Sequence, residues 1–297
     1  MELKYIVKNN DIYKNIKEVI KAYFNISDRL LLRLKNSNNI LLNGSPTYMA
    51  KDIHEGDEIR VIIDFVEDNS NIVPTQINLD ILYEDDYYLV INKPSNLPVH
   101  PSMLHYKNSL SNGIRFYFDS IELKRKIRPV NRLDKDTSGI VIFAKNEYIQ
   151  NCLVHQMKTK EFKKEYIAVC DGIFEEKSGT INLPIARKEG SIIERKISPD
   201  GEIAITHYEV LKELENDISV VKCLLETGRT HQIRVHLAAL GHPILGDTLY
   251  GIKKAIGTAT TRQLLHAKKV QFVHPISKEL VCYTAPLPSD IARYYAL

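Results

Sequence analysis

The chain has 297 residues, 44% of them hydrophobic and 26% charged, with a formal net charge of +3. These values exclude disordered and fibrous classes, and the length suggests about two domains. No stretch approaches the roughly 20 apolar residues of a membrane span, and the Lys and Asn residues of MELKYIVKNNDIYKN do not make a signal peptide. The expectation is a cytoplasmic protein with no membrane segment, and a monomer, since no pattern demands an interface. Cys152, Cys170, Cys223 and Cys282 form no C-x-x-C pair, so they are expected as reduced core residues and not as a disulfide framework or a zinc site. The net charge is too small to argue for a nucleic-acid partner. Its distribution says more, because basic residues gather in KRKIR (124–128), KTKEFKKEY (158–166) and RQLLHAKK (262–269).

Ile12, Ile16, Val19, Ile20 and Tyr23 carry helical spacing, and a second helix is predicted after Ser27 or Asp28 through RLLLRLK. Asn43-Gly44 after ILLNGSP signals a hairpin turn, and EGDEIRVIIDF reads as the closing strand. Two helices and a hairpin make a small α/β module. The polar, Pro-containing DNSNIVPTQ then reads as a linker. Beyond it ILYEDDYYLVINKP, SGIVIFAK, KEYIAVCDG and DISVVKCLLETG look like strands. NEYIQNCLVHQMKTKEF and THQIRVHLAALG carry helical spacing, the latter with Thr230 as N-cap and Gly241 just past its end. Strands and helices do not alternate regularly, so an α+β domain with a mixed sheet is expected.

Three constellations carry chemical promise. In RPVNRLDKDTSGIVIFAKN, Asp134 and Asp136 stand among Arg128, Arg132 and Lys135 at the mouth of a strand. A carboxylate beside cations there stays ionised and suits a nucleophile or base, although spacing alone also admits an ordinary turn. In LLETGRTHQIRVHLAALGHPILGDTLYG, Arg229, His231, Gln232, Arg234 and His236 crowd a helix start, which favours an anion. His231, His236 and His242 are spaced too unevenly to share a helical face, so no metal site is expected. INKPSNLPVHPS places Lys93 and His100 in a rigid loop after a strand. KKEYIAV sets Tyr166 at a strand start beside lysines, fit to stack on a base or simply to half-bury.

INKPSNLPVHP, NRLDKDTSGIVIFAK, KEYIAV and TGRTHQIRVHLAALGHPILGDTLYG, in that order, resemble the motifs of the RluA-type pseudouridine synthase family, over roughly 80–287. The resemblance implies the pseudouridine synthase fold, with a mixed, mainly antiparallel sheet, and isomerisation of uridine to pseudouridine without metal or organic cofactor. It implies Asp134 as the catalytic nucleophile or base, with Arg234 pairing with it. Tyr166 is implied to stack on the flipped base, and Arg132 to fill the space that base leaves. Two positions depart from the family pattern. Asn131 replaces the histidine before R-L-D, and Asn96 replaces a glycine, being the residue that best tolerates positive φ in its stead.

SDRLLLRLK, the Asn43-Gly44 turn and EGDEI give residues 12–64 a weaker resemblance to the RNA-binding domain of ribosomal protein S-four. Arg29, Arg33 and Lys35 are its expected RNA contacts. The expected layout is 12–64 for this domain, 65–79 for the linker and 80–297 for the catalytic domain. Lys93, His100, Arg229, His231 and Gln232 join Arg132 as expected substrate or RNA contacts, and Val141, Ile142 and Leu225 as pocket walls. Large-subunit ribosomal RNA is the expected substrate. A tRNA target, or a non-catalytic RNA-binding or ribosome-assembly role, is the alternative.

Overall fold

The N-terminal unit is a four-stranded antiparallel sheet in which β1 (Glu2–Ile6) pairs with β4 (Glu58–Ile62), β4 with β2 (Ile40–Leu42) and β2 with β3 (Ser45–Pro46). The computed structural model describes residues 1–251, 260 and 262–296 of the chain; the remainder of the expected catalytic segment lies outside the described residues. The module starts earlier than its sequence bound of 12, because Leu3 and Tyr5 alternate inward along β1 and join the core. Helix α1 (Ile16–Glu18), capped by the Asn15 side chain, passes into a π-helical turn at Val19–Tyr23. Ile12, expected on this helix, precedes it and is exposed. The Ser27 hydroxyl accepts from the Leu30 amide to start α2 (Asp28–Asn36). Asn43 and Gly44 both have positive φ, 49° and 82°, as a two-residue hairpin turn between β2 and β3 requires.

The second unit holds β5 (Ile81–Glu84), β6 (Tyr88–Lys93), α3 (Leu110–Ser120), β7 (Arg128–Pro129), β8 (Ser138–Ala144), α4 (Glu147–Lys158), β9 (Lys163–Asp171) and β10 (Ser178–Asn182). A small hairpin of β11 (Ile185–Arg187) and β12 (Arg195–Ile197) follows. Then come β13 (Ile205–Leu214), β14 (Ile218–Leu225), α5 (Gln232–Ala239), β15 (Leu265–Val273), β16 (Leu280–Thr284) and α6 (Ser289–Ala296). The main sheet has ten strands with the backbone order β10-β13-β14-β9-β15-β8-β6-β5, and β16 and β7 attach to β15 and β8. Among the described residues only the β15–β8 pairing is parallel. The expected α+β class with a mixed, mainly antiparallel sheet is what the chain adopts.

Strand β8 is buried along its whole length because both faces are covered. Ile140 and Ile142 pack with Tyr88, Ile149, Leu153 and Phe272, while Val141 and Phe143 pack with Leu89, Ile114 and Phe118 under α3. Val141 and Ile142 are therefore core, not pocket walls. At Gly139 (φ +110°) the parallel crossing is so tight that a Cβ would sit 2.3 Å from the Ala267 carbonyl oxygen. This pins β8 to β15 directly behind the segment expected to hold the nucleophile.

The apolar core of the small unit, with Ile16, Leu30 and Val61, is continuous with Tyr88, Ile149 and Phe272 of the larger one. Polar ties reinforce the junction. Arg33 on α2 bonds Glu67 (3.0 Å) and Glu147 (2.8 Å) and lies 4.1 Å from the Phe65 ring centroid. Glu67 in turn takes a forked pair from Arg128 (2.6 and 2.7 Å). The expected linker is thus held against the body, with Asn69 buried and bonded to the backbone of Arg125 and Ile127. Cys170 and Cys223 are buried as expected, but Cys282 is exposed on β16.

Candidate active site

Asp134 sits in the turn between β7 and β8, where its carbonyl accepts from the Thr137 amide (3.2 Å). Asn131 stands where the family pattern has histidine. Its amide donates to the Ile140 carbonyl (3.0 Å) and accepts from the Ile142 amide (2.9 Å), so a buried carboxamide ties this loop to β8. Asn96 adopts φ 59°, the left-handed turn its replacement of glycine needs. Lys93 was expected on the substrate side and is instead fully buried beneath the loop. Its three N–H groups meet the carbonyls of Pro94, Leu97 and Lys135 at 2.8, 2.8 and 2.9 Å, although burial pulls its pKa down to about 7. Arg262, from the far side, donates to the Asp136 carbonyl (3.0 Å) and forks onto Asp290 of α6.

Arg234, in the first turn of α5, faces Asp134 with Nη1 at 3.0 Å from a carboxylate oxygen. The other edge of its guanidinium is forked onto Asp247 at 2.7 and 2.8 Å, and the Tyr250 ring lies 5.1 Å away. The Asp247 side chain is wholly buried, and Oδ1 also accepts from the Leu249 and Tyr250 amides. Burial alone would weaken the charge on Arg234, but the two carboxylates more than offset it and hold the guanidinium protonated. Asp134 keeps about a quarter of its side chain exposed, so one face is free toward the cleft. Asp247 was not singled out from the sequence, although it lies inside the quoted GDTLYG run; nothing local marks a buried acid that fixes an arginine.

His231, and not Thr230, caps α5, in a left-handed conformation (φ 59°) with no side-chain cap bond. Its Nε2 is 3.7 Å from Asp134 and its Nδ1 2.8 Å from the Tyr250 hydroxyl. Burial lowers its pKa against the pull of Asp134, leaving a neutral ring near pH 7. Tyr166 on β9 is buried beside Asp134, and burial and that charge both raise its phenol pKa. Arg132, Asp134, Tyr166, Leu225, Arg229 and His231 line one pocket. It opens into a cleft of about 920 Å³ whose rim carries His100, Lys158, Lys160 and Lys164. The basic KTKEFKKEY run therefore edges the cleft.

Gln232 lines the pocket, but its side-chain hydrogen bonds are all made within the protein. It is buried, its oxygen accepts from Thr227 and the Arg229 amide, and its nitrogen donates to Ile205 and Thr206, so all four bonds serve the loop. Arg229 bonds Glu202 (2.7 Å) and the Ile203 carbonyl while edging the pocket. His236 and His242 bond Thr206, the Leu183 carbonyl and the Asp171 carbonyl. Among the described residues, no group of three His, Cys, Asp or Glu side chains could hold a metal ion. On α2, Arg29 and Lys35 are exposed, whereas Arg33 is committed to its two glutamates.

A ten-stranded mixed sheet presents an acid, an arginine and a tyrosine in one cleft, and the comparisons put this fold among the RNA-modifying isomerases. Residues 87–239 match the family model of RNA pseudouridylate synthases. The chain belongs to that family, in its RluA-type branch, and is an isomerase that acts on RNA. The uncharacterized RNA pseudouridine synthase YhcT of Bacillus subtilis is 40% identical over 275 residues, covering 92% of this chain and 89% of its own length. Ribosomal large subunit pseudouridine synthase D of Xanthomonas campestris pv. campestris is 37% identical over 268 residues, covering 86% and 80%. Among solved structures, human RNA pseudouridylate synthase domain containing 1 is 28% identical with a TM-score of 0.59, over 70% of this chain and 83% of that one. Among the described residues, no helix is long and apolar enough to cross a membrane.

Proposed function

We propose that this enzyme isomerises specific uridines in large-subunit ribosomal RNA, with Asp134 as the nucleophile or base that breaks the glycosidic bond. The observation that carries the reading is the 3.0 Å contact from Arg234 to Asp134 beside Tyr166, at the floor of a cleft large enough for an extruded nucleotide. The target uridine flips out of its stem, because a stacked base is out of reach of a side chain. Asp134 starts release of the base, Tyr166 stacks on it while it turns, and Arg132 fills the gap in the RNA. Arg234 keeps the carboxylate aimed. The ribosomal target is supported by relatives such as the Xanthomonas protein, whose name gives the large subunit as its substrate. The N-terminal unit, residues 12–64 with the added strand β1, serves as an S-four-type RNA-binding domain through Arg29 and Lys35. The enzyme works as a cytoplasmic monomer.

The test is a pseudouridine map of ribosomal and transfer RNA by carbodiimide treatment and primer extension, with and without the gene. Loss of specific stops in large-subunit RNA is expected, and loss confined to tRNA would overturn the ribosomal assignment. Asp134→Asn is expected to hold RNA with wild-type affinity and to lose turnover. An active Asp134→Asn enzyme would sink the nucleophile.

A further inference from the structure

A second cavity, of about 480 Å³, lies between α2 of the small unit and the α4 face of the large one. His100 belongs to both its wall and the wall of the catalytic cleft, so the two spaces meet at one side chain. The groove wall carries Arg29, Lys126 and Arg128 with one carboxylate, Glu147. That carboxylate is already matched by Arg33 at 2.8 Å, and Glu67 beneath takes the Arg128 fork. Arg29, whose side chain is 81% exposed, stands 3.7 Å from that same carboxylate, so Glu147 is shared between two guanidiniums, and with Lys126 exposed beside them the groove keeps surplus positive charge at its surface.

The basic run KRKIR divides accordingly. Arg125 and Arg128 turn inward, to Asp64 and the Phe65 carbonyl and to Glu67, and hold the two units together. Lys126, between them, is exposed and faces the groove. His100 is neutral near pH 7, since burial and the nearby Arg132 charge both lower its pKa. It offers a flat ring at the junction, suited to stacking and free of a fixed charge.

We propose that the RNA strand flanking the target uridine leaves the cleft past His100 and runs through this groove, with its phosphates on Arg29 and Lys126. This rests on the reading of the cleft as the site of uridine isomerisation and adds the path of the substrate beyond it. The occupant is single-stranded RNA, because the groove pairs surplus cations with a ring at its mouth, the combination that backbone phosphates and unstacked bases require. It also explains why the small unit is fixed to the body: the path needs both walls at constant spacing.

The experiment compares the full chain with an Arg29→Gln, Lys126→Gln double variant. Two probes are used: transcribed large-subunit ribosomal RNA, and an oligonucleotide trimmed to a modified uridine and its immediate neighbours. Filter binding across a salt series is expected to show about tenfold weaker binding of the long RNA and a log–log salt slope smaller by about 2, one per lost phosphate contact, with the trimmed RNA unchanged. An Arg29→Lys, Lys126→Arg variant keeps both charges and is expected to bind as the parent. Unchanged affinity for the long RNA, or equal weakening on both RNAs, would overturn the path. Because the readout is binding, absence of turnover in the parent enzyme would count against the proposed function and leave this measurement standing.

Discussion

Asp247 has no exposed surface, yet it decides where Arg234 points. Its fork on Nε and Nη2 leaves Nη1 as the one edge free to reach Asp134. In Asp247→Asn the fork is halved and the guanidinium turns, and misplacement of an aiming group by about 1 Å costs about 100-fold in rate. The expected result is a kcat lower by about that factor with KM little changed, read from single- and multiple-turnover kinetics; a rise in KM alone would assign Asp247 to substrate binding and overturn its aiming role. That Asp134, Arg234, Tyr166 and Arg132 share one pocket was legible in the sequence because each stands inside an ordered set of motifs. Lys93 was misplaced for a physical reason. A polar side chain in a loop looks the same in sequence whether it meets substrate or closes backbone hydrogen bonds, and only the carbonyls around the Lys93 ammonium separate the two.

The loop that bears Asp134 is stiff because its neighbours are: Asn131 ties it to β8, Lys93 supports it from below, and Arg262, itself anchored on Asp290 of α6, holds the Asp136 carbonyl. Gly139 closes the arrangement where β8 and β15 run parallel. A methyl group there meets the Ala267 backbone and a φ that L residues avoid, so Gly139→Ala is expected to cost roughly 3 kcal/mol, or about 5 to 10 °C in melting temperature. A calorimetric scan checks this, and an unchanged melt would show that the strands can part without cost. Helix α2 and the Asn43-Gly44 hairpin were legible because caps and turn residues are local signals. Strands β13, β15 and β16 and helices α3 and α6 were not drawn from the sequence. RQLLHAKK shows why: it reads as a basic surface, but it leads into a mostly buried strand, where Lys268 reaches out to the Ala285 carbonyl.

The two units act as one body because Glu67 joins Arg33 of the small unit to Arg128 of the large one. Burial raises the Glu67 pKa, but the two guanidiniums outweigh it and hold the carboxyl below its ordinary value. The unfolded chain therefore binds this proton first as pH falls, and the stabilisation present above about pH 4.5 is lost below it. Glu67→Gln is expected to remove about 2 kcal/mol at neutral pH and to flatten the acid limb of the stability curve, as urea titrations at several pH values would show. A parallel curve displaced by a constant would place the titration elsewhere. Strand β15 has a consequence for how the molecule is made. It lies far along the chain, yet in space it sits between β8 and β9, which come much earlier. A growing chain thus holds two open strand edges until 265–273 emerges, and only then do the two halves of the sheet join and bring Asp134 alongside Tyr166. The nascent polypeptide consequently has no assembled Asp134–Tyr166 pair until that late strand has emerged.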